Sequence, residues 1–480
     1  MIQQKSDKNP ASVPGILIAA PFSGSGKTTF TTGLLAALKK RTRSLYSYKC
    51  GPDYIDPMYH TRVLGIPCRN LDTWFTGEEK LKELFLHDPA EAFHVVEGVM
   101  GLYDGVAGIR PEGSSYDLAR VLGLPILLVV SAKGMGSSVI ALIRGFLEQD
   151  RFGLIRGIFL NQISEEMYRR LKPELEKELR VPCLGFLPGD KQLQVPGRHL
   201  GLAQPGDFAG HEAYIRHSGD AVEQALDWEK FYHIARWNEL RNGDRWEEEG
   251  AEPGSAEDKA DEDTPREFSG CSVAVARDPA FSFLYEDNLR ELRELGIKIL
   301  FFSPLSDAEL PPGIDGLYLP GGYPELYAER LSENHSMLRD IREKIAKGLP
   351  TVAECGGFLY LQLKLFTPEG EGFPMAGVLP GEARKKERLV RFGYVEIEEE
   401  RPTFLPEGLR LKGHEFHYYD STENGASCTM TKPVTGRAWK GIVATETLWA
   451  GFPHIYFPAE PGFVRAWAEK MRQHERSSKV

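Results

Sequence analysis

Short apolar runs alternate along this chain with stretches whose apolar residues recur every three or four positions. In the first half the runs are GILIAA, HVVEGVM, PILLVV and GIFLN, and between them TTFTTGLLAALKKR and SSVIALIRGFLEQ carry helical spacing. Continuous apolar strands separated by amphipathic helices are the pattern of a parallel sheet covered on both faces. After a break, the pattern restarts with CSVAVARD, IKILFF, GLYLPGG, PTVAECGG and GIVATET. The expected fold class is therefore α/β, with two α/β domains: an N-terminal parallel-sheet domain over residues 14–240 and a C-terminal one over residues 269–475.

The break between them has a different composition. EEEGAEPGSAEDKADEDTP is rich in Glu, Asp, Gly and Pro and almost without large apolar residues. Such a segment buries too little surface to offset its ordering entropy, so residues 241–268 are expected to form an acidic disordered linker. Of the net charge of -11, -8 lies between Glu247 and Asp263, which leaves the remainder nearly balanced at -3. No basic face suited to nucleic acid is indicated. No apolar stretch approaches the roughly 20 residues that span a bilayer, and the first residues, MIQQKSDKNPASVPG, lack the form of a secretory signal. The chain is expected in the cytoplasm, away from membranes. Its six cysteines include no Cys-x-x-Cys pair and are expected as free thiols.

Two stretches carry chemistry. In APFSGSGKTTF, Gly24, Ser25, Gly26, Lys27, Thr28 and Thr29 lie between an apolar strand and an amphipathic helix. Backbone N–H groups at a helix start form an anion site, the lysine reaches the outer phosphates, and the Thr28 hydroxyl is placed to ligate Mg²⁺. The usual phosphate loop has a glycine where this chain has Pro21; the small residue lies one position earlier, at Ala20. Carboxylates for a hard cation are offered by YKCGPDYIDPMYH, with Asp53 and Asp56, and by VVEGVMGLYDG, where Glu97 ends a buried strand. In the second half, TVAECGGFLYL places Cys355 on a strand-to-helix turn before two glycines, which is how a nucleophile is lifted out of an α/β sheet. Helix-terminal amides are expected to lower its thiol pKa. LYLPGGYPE offers oxyanion donors, and His414, His417 and His454 are candidate bases.

Taken together, KCGPDYIDPMYH, NLDTWF, EGVMGLYDG, PGRHLGL, VARDPAFSFLYEDNL, LYLPGGYPEL, AECGGFLYL and GHEFHYY resemble the signatures of the cobyrinic acid a,c-diamide synthases, in family order and over nearly the whole chain. That family joins a dethiobiotin-synthetase-like ATP domain to a class I glutamine amidotransferase domain, and the spacing from Ala20 is similar to that branch. The resemblance implies an ATP-dependent amide-forming synthetase domain. There Lys27 and Thr28 would hold ATP and Mg²⁺, Thr28, Asp53 and Glu97 would serve the metal, and Asp53, Tyr54 and Asp56 would lie beside the carboxylate being activated. Cys355 would be the glutaminase nucleophile and His454 its base. Many class I amidotransferases carry His-x-Glu where this chain reads His454-Ile455-Tyr456, which leaves open the group that orients His454, with Glu415 one candidate. The implied partners are a tetrapyrrole, ATP and L-glutamine. Hydrogenobyrinate or Ni-sirohydrochlorin would use the same motifs, and a regulatory protein that had lost catalysis is disfavoured by the presence of both Lys27 and Cys355. The sequence leaves the oligomeric state open, a homodimer being one arrangement it admits.

Overall fold

The structure is a computed structural model that describes residues 10, 13–42, 44–89, 91–193, 211–236 and 266–478. These form two compact units, one ending by residue 236 and the other beginning at residue 266. Most of the expected linker, residues 241–265, and the stretch PGRHLGL lie outside the described residues. Phe268, at the end of the range read as linker, is buried in the core of the second unit.

The first unit is built on seven strands: β1 (Gly15–Ala19), β2 (Leu45–Cys50), β3 (Cys68–Leu71), β4 (Phe93–Glu97), β5 (Ile126–Ser131), β6 (Ile155–Asn161) and β7 (Cys183–Leu187). Their order is β3-β2-β4-β1-β5-β6-β7, and every pair is parallel. Burial on both faces explains why the strands read as unbroken apolar runs. Helix α1 (Lys27–Lys39) leaves β1 through the glycine-rich turn and packs its Phe30, Leu34 and Leu38 into the core with Ile16 and Ile18. On its other side α1 lies so close to the helix His211–Ala225 that a Cβ on Gly33 would stand 2.5 Å from Ser218 O. Helix α2 (Ile55–Arg62) begins just beyond β2. Parallel strands with short exits gather the ends of β1, β2 and β4 on one edge, where a ligand crevice belongs.

The second unit has a six-stranded sheet. Its strands β8 (Ser272–Ala276), β9 (Lys298–Phe302), β10 (Gly316–Leu319) and β11 (Thr351–Glu354) are parallel, and Leu448–Gly451 adds a parallel neighbour to β11. The expected strand in GIVATET is only Val443–Ala444, antiparallel at the sheet edge. A separate five-stranded antiparallel sheet contains Arg391–Glu399, Arg410–His417 and His454–Ile455. The period-two alternation of those strands was not read from the sequence. After Leu448–Gly451 the chain crosses from the parallel sheet to the antiparallel one within two residues, Phe452 and Pro453, which sets His454 at their junction. Among the described residues no helix is long and apolar enough to cross a membrane.

Candidate functional site

The turn from Pro21 to Gly26 takes a shape that only its glycines allow. Gly24 and Gly26 have φ of 85° and 98°, in the left-handed region. A Cβ on Gly26 would lie 2.0 Å from Asn161 Nδ2, and that amide donates to Ser25 O at 2.9 Å. Asn161, at the end of β6, therefore clamps the turn from the neighbouring strand. Lys27 and Thr28 open α1, and their side chains turn towards the end of β4. Lys27 Nζ donates to Met100 O, and Thr28 Oγ1 donates to Glu97 Oε1 at 2.7 Å. The VVEGVMGLYDG loop is laced to the turn: Leu102 N–H donates to Ala20 O at 2.8 Å, and a Cβ on Gly101 would meet Pro21 O at 2.6 Å. Burial, with the charge of Lys49 added, lowers the Lys27 ammonium to about 8. The two remaining residues of the motif are spent inside the protein: Ser25 Oγ donates to Phe22 O at 2.8 Å, and Thr29 Oγ1 to Leu193 O at 3.1 Å.

Lys49 is the central residue that sequence reading passed over. It stands near the end of β2, and its ammonium donates to Asp56 Oδ2 at 2.6 Å, Glu97 Oε1 at 3.0 Å and Gly98 O at 3.4 Å, with Asp53 Oδ2 at 3.9 Å. Burial opposes its charge, but Asp56, Glu97 and Asp53 together outweigh that and hold it above the ordinary lysine value. A lysine inside the buried strand LYSYKC was the available signal, because an unpaired charge is not tolerated there. Asp53 has a structural task as well: its Oδ1 accepts from the N–H groups of Ile55 at 2.9 Å and Asp56 at 3.3 Å, at the start of α2. Burial beside Asp56 pushes its carboxyl up, while a third of the side chain stays open to solvent and limits that displacement. Tyr54 precedes α2 directly. His60 Nε2 lies 3.5 Å from Glu97 Oε2.

The donor set fits Mg²⁺ bound with a nucleotide. Thr28 and Glu97 bring two hard oxygens together. Glu97 Oε2 is buried with no hydrogen-bond partner within normal reach among the described residues, His60 Nε2 being 3.5 Å away, so it retains capacity for a cation. No group of three or more His, Cys, Asp or Glu able to hold a metal occurs among the described residues. Phosphate oxygens and waters would have to complete the shell, as Mg²⁺ prefers. Asp53 is linked to Glu97 through Lys49, whose ammonium lies 3.9 Å from Asp53 Oδ2 and 3.0 Å from Glu97 Oε1.

In the second unit, Cys355 joins β11 to the helix Gly356–Leu361 with φ 46° and ψ -102°, a strained geometry for a residue bearing a Cβ. The elbow is tight. A Cβ on Gly357 would lie 2.0 Å from Leu319 O, and one on Gly356 would lie 2.8 Å from Gly322 N. The Gly321–Gly322 turn after β10 is thereby pressed against the cysteine turn, as oxyanion donors must be. A Cβ on Gly321 would meet His454 Cε1 at 2.3 Å, so the imidazole packs on the same turn. Cys355 N–H donates to Gly451 O at 2.8 Å, three residues before His454. The expected low thiol pKa is not found. Burial, reinforced by Glu325, pushes the thiol well above its ordinary value, and the Gly356 amide offsets only part of this. A protonated resting thiol makes a base indispensable.

The three histidines have separate places. His454 is buried and faces His414 across the antiparallel pair. Burial, with His454 close by, lowers His414 to about 3. His417 stacks on Phe452 with centroids 3.8 Å apart. Glu415, the candidate orienting group, is 3.9 Å from His417 Nε2, whereas Glu354 Oε2 is 3.7 Å from His454 Nδ1. Side-chain alternation along Arg410–His417 accounts for this: residues 415 and 417 share a face, and 414 takes the other.

Comparison with known proteins agrees with both halves. Residues 16–202 match the model of the CobQ/CobB/MinD/ParA nucleotide binding domain, and residues 272–461 match that of the CobB/CobQ-like glutamine amidotransferase domain. The chain is 38% identical over 444 residues to a cobyrinate a,c-diamide synthase of Caldanaerobacter subterraneus subsp. tengcongensis, covering 92% of this chain and 94% of that one. It is 39% identical over 461 residues to a cobyrinate a,c-diamide synthase of Clostridium tetani, covering 95% and 99%. It is also 39% identical over 416 residues to a hydrogenobyrinate a,c-diamide synthase of Brucella anthropi, covering 86% and 90%.

Proposed function

The chain belongs to the cobyrinate a,c-diamide synthase family, and we propose that it uses ATP and glutamine to convert the a- and c-acetate carboxylates of cobyrinic acid into amides, in the cytoplasm, within cobalamin biosynthesis. A carboxylate is a poor electrophile, so it is first phosphorylated by ATP. The resulting acyl phosphate is then displaced by ammonia, leaving a carboxamide and inorganic phosphate. Lys27 neutralises the phosphates, and the N–H groups of the Gly24–Thr29 turn cradle them. Mg²⁺ held by Thr28 and Glu97, with Asp53 close by, would offset the charge developing on the transferred phosphoryl group. Asp53, Tyr54 and Asp56, with Lys49 bound to Asp56, would lie beside the acetate to be activated.

Ammonia comes from glutamine. Cys355 Sγ attacks the carboxamide carbon, and its proton passes to His454 and then to the leaving ammonia. Water hydrolyses the thioester to glutamate. One observation carries the whole reading: a phosphate turn with a carboxylate beside its threonine and a cysteine elbow with a histidine against it occur in the same chain.

The identity to the hydrogenobyrinate relative equals that to the Clostridium tetani protein, so a cobalt-free macrocycle is the second reading. The test is mass spectrometry of products formed from each tetrapyrrole with ATP, Mg²⁺ and glutamine. Two successive losses of about one mass unit, each an OH replaced by NH₂, are expected with cobyrinic acid. Product only from hydrogenobyrinic acid would select the second reading. For the assembly we adopt a homodimer, which light scattering of the same preparation checks.

A further inference from the structure

In a cysteine–histidine pair the imidazole must be held in one tautomer and orientation, commonly by a carboxylate on the ring nitrogen remote from the thiol. This chain has Tyr456 two residues after His454, and that hydroxyl donates to Asp287 Oδ2 at 2.7 Å. Glu415 lies beside His417. The carboxylate next to His454 comes from elsewhere: Glu354 is the last residue of β11 and immediately precedes Cys355.

Glu354 is held firmly. Its Oε1 accepts the Ile455 N–H at 3.0 Å, and its Oε2 accepts the Tyr318 hydroxyl at 2.9 Å. The Glu354 side chain is 2% exposed and that of His454 4% exposed. Both donors are neutral groups, a backbone amide and a phenol. His454, which can become cationic, stands close by, with Nδ1 at 3.7 Å from Oε2. Its cross-strand neighbour His414 is kept neutral by burial.

We propose that Glu354 is the positioning residue of the glutaminase site: its carboxylate faces His454 Nδ1, leaves Nε2 for the Cys355 thiol, and stabilises the imidazolium formed when the proton moves from Sγ to the ring. It thus takes the place of the glutamate that follows the histidine in other class I sites. The inference rests on Cys355 and His454 being nucleophile and base. The adjacency of Glu354 to the nucleophile is what makes it effective. The strand end that aims Sγ and the carboxylate that aims the base are consecutive residues, so neither can shift without the other.

Glu354→Gln keeps the size and loses the charge. In the full-length enzyme its kcat for glutamine hydrolysis should fall about a hundredfold with KM within threefold. The acid limb of the kcat/KM profile should move to lower pH, because the imidazolium loses its counter-charge. Amidation driven by ammonium salt should stay within twofold of wild type. Glu354→Asp should recover part of the kcat. Tyr318→Phe, which frees one carboxylate oxygen, should lower glutaminase kcat about tenfold and serves if Glu354→Gln does not fold. Glutaminase kcat and acid limb unchanged in Glu354→Gln, or in Tyr318→Phe should the first variant fail to fold, would overturn the proposal. Cys355→Ala run in parallel separates this from failure of the underlying reading: full glutamine use in that variant would remove the nucleophile itself.

Discussion

The ammonium of Lys49 sits 2.6 Å from Asp56 and 3.0 Å from Glu97, all three side chains being almost wholly buried. One lysine thus holds together the carboxylate assigned to the metal and the one assigned to the substrate. Removing one partner of a buried ion pair strands the others, at about 3–5 kcal/mol. Lys49→Met should therefore lower the melting temperature by many degrees and stop amidation, read by calorimetry and by product assay. An unchanged melting temperature would mean that Asp56 and Glu97 are neutral in the protein.

Lys27→Ala should abolish amide formation with either nitrogen donor while leaving slow glutamine hydrolysis, since its charge acts on ATP phosphates alone. Because burial lowers this lysine to about 8, ATP affinity in the wild type should weaken as pH rises above that value. Titration calorimetry at pH 7 and pH 9 checks the trend, which should vanish in Lys27→Arg.

Glu97→Gln should raise the Mg²⁺ concentration needed for half-maximal amidation about tenfold or more, with partial recovery at high Mg²⁺. Asp53→Asn should have a smaller metal effect, because Asp53 already accepts two N–H groups of the α2 turn. Equal metal dependence in Glu97→Gln and wild type would exclude Glu97 as a ligand.

Cys355→Ala should lose glutamine-dependent amidation and keep ammonia-dependent amidation. His454→Ala should match it nearly completely, since burial keeps the resting thiol protonated and little thiolate persists without a base. Loss with both donors in a folded variant would assign Cys355 to the synthetase reaction instead.

Burial lowers His94, within the β4 strand, to about 4. Its folded value is below its unfolded value of about 6.5, so its contribution to stability is lost as pH falls from 6.5 towards 4. The stability difference between wild type and His94→Gln should shrink by about 1.4 kcal/mol per pH unit across that window and stay flat above pH 7. Urea unfolding at several pH values measures it, and a flat difference throughout would mean the ring titrates alike in the folded and unfolded chain.

Much of this protein is local in origin and could be read along the chain. The apolar runs of β1, β4, β5 and β6 had to be strands buried on both faces, and Gly24 and Gly26 before Lys27 had to turn into a helix with free amides. Cys355 before two glycines had to sit on an elbow, because only glycine tolerates the approach of Leu319 O. Tertiary structure decided what depends on groups distant in sequence. Lys49 meets Glu97 because β2 and β4 are paired in register, Lys49 opposite Glu97. Asn161 reaches the turn at Gly26 from 135 residues away. The thiol pKa followed burial rather than the helix start, and burial is a property of the whole packed unit. Glu354 reaches His454 because the chain passes from the parallel to the antiparallel sheet in two residues. Hydrophobic periodicity and turn chemistry act between near neighbours; pairing of charges across a sheet needs the strand order, which no short stretch encodes.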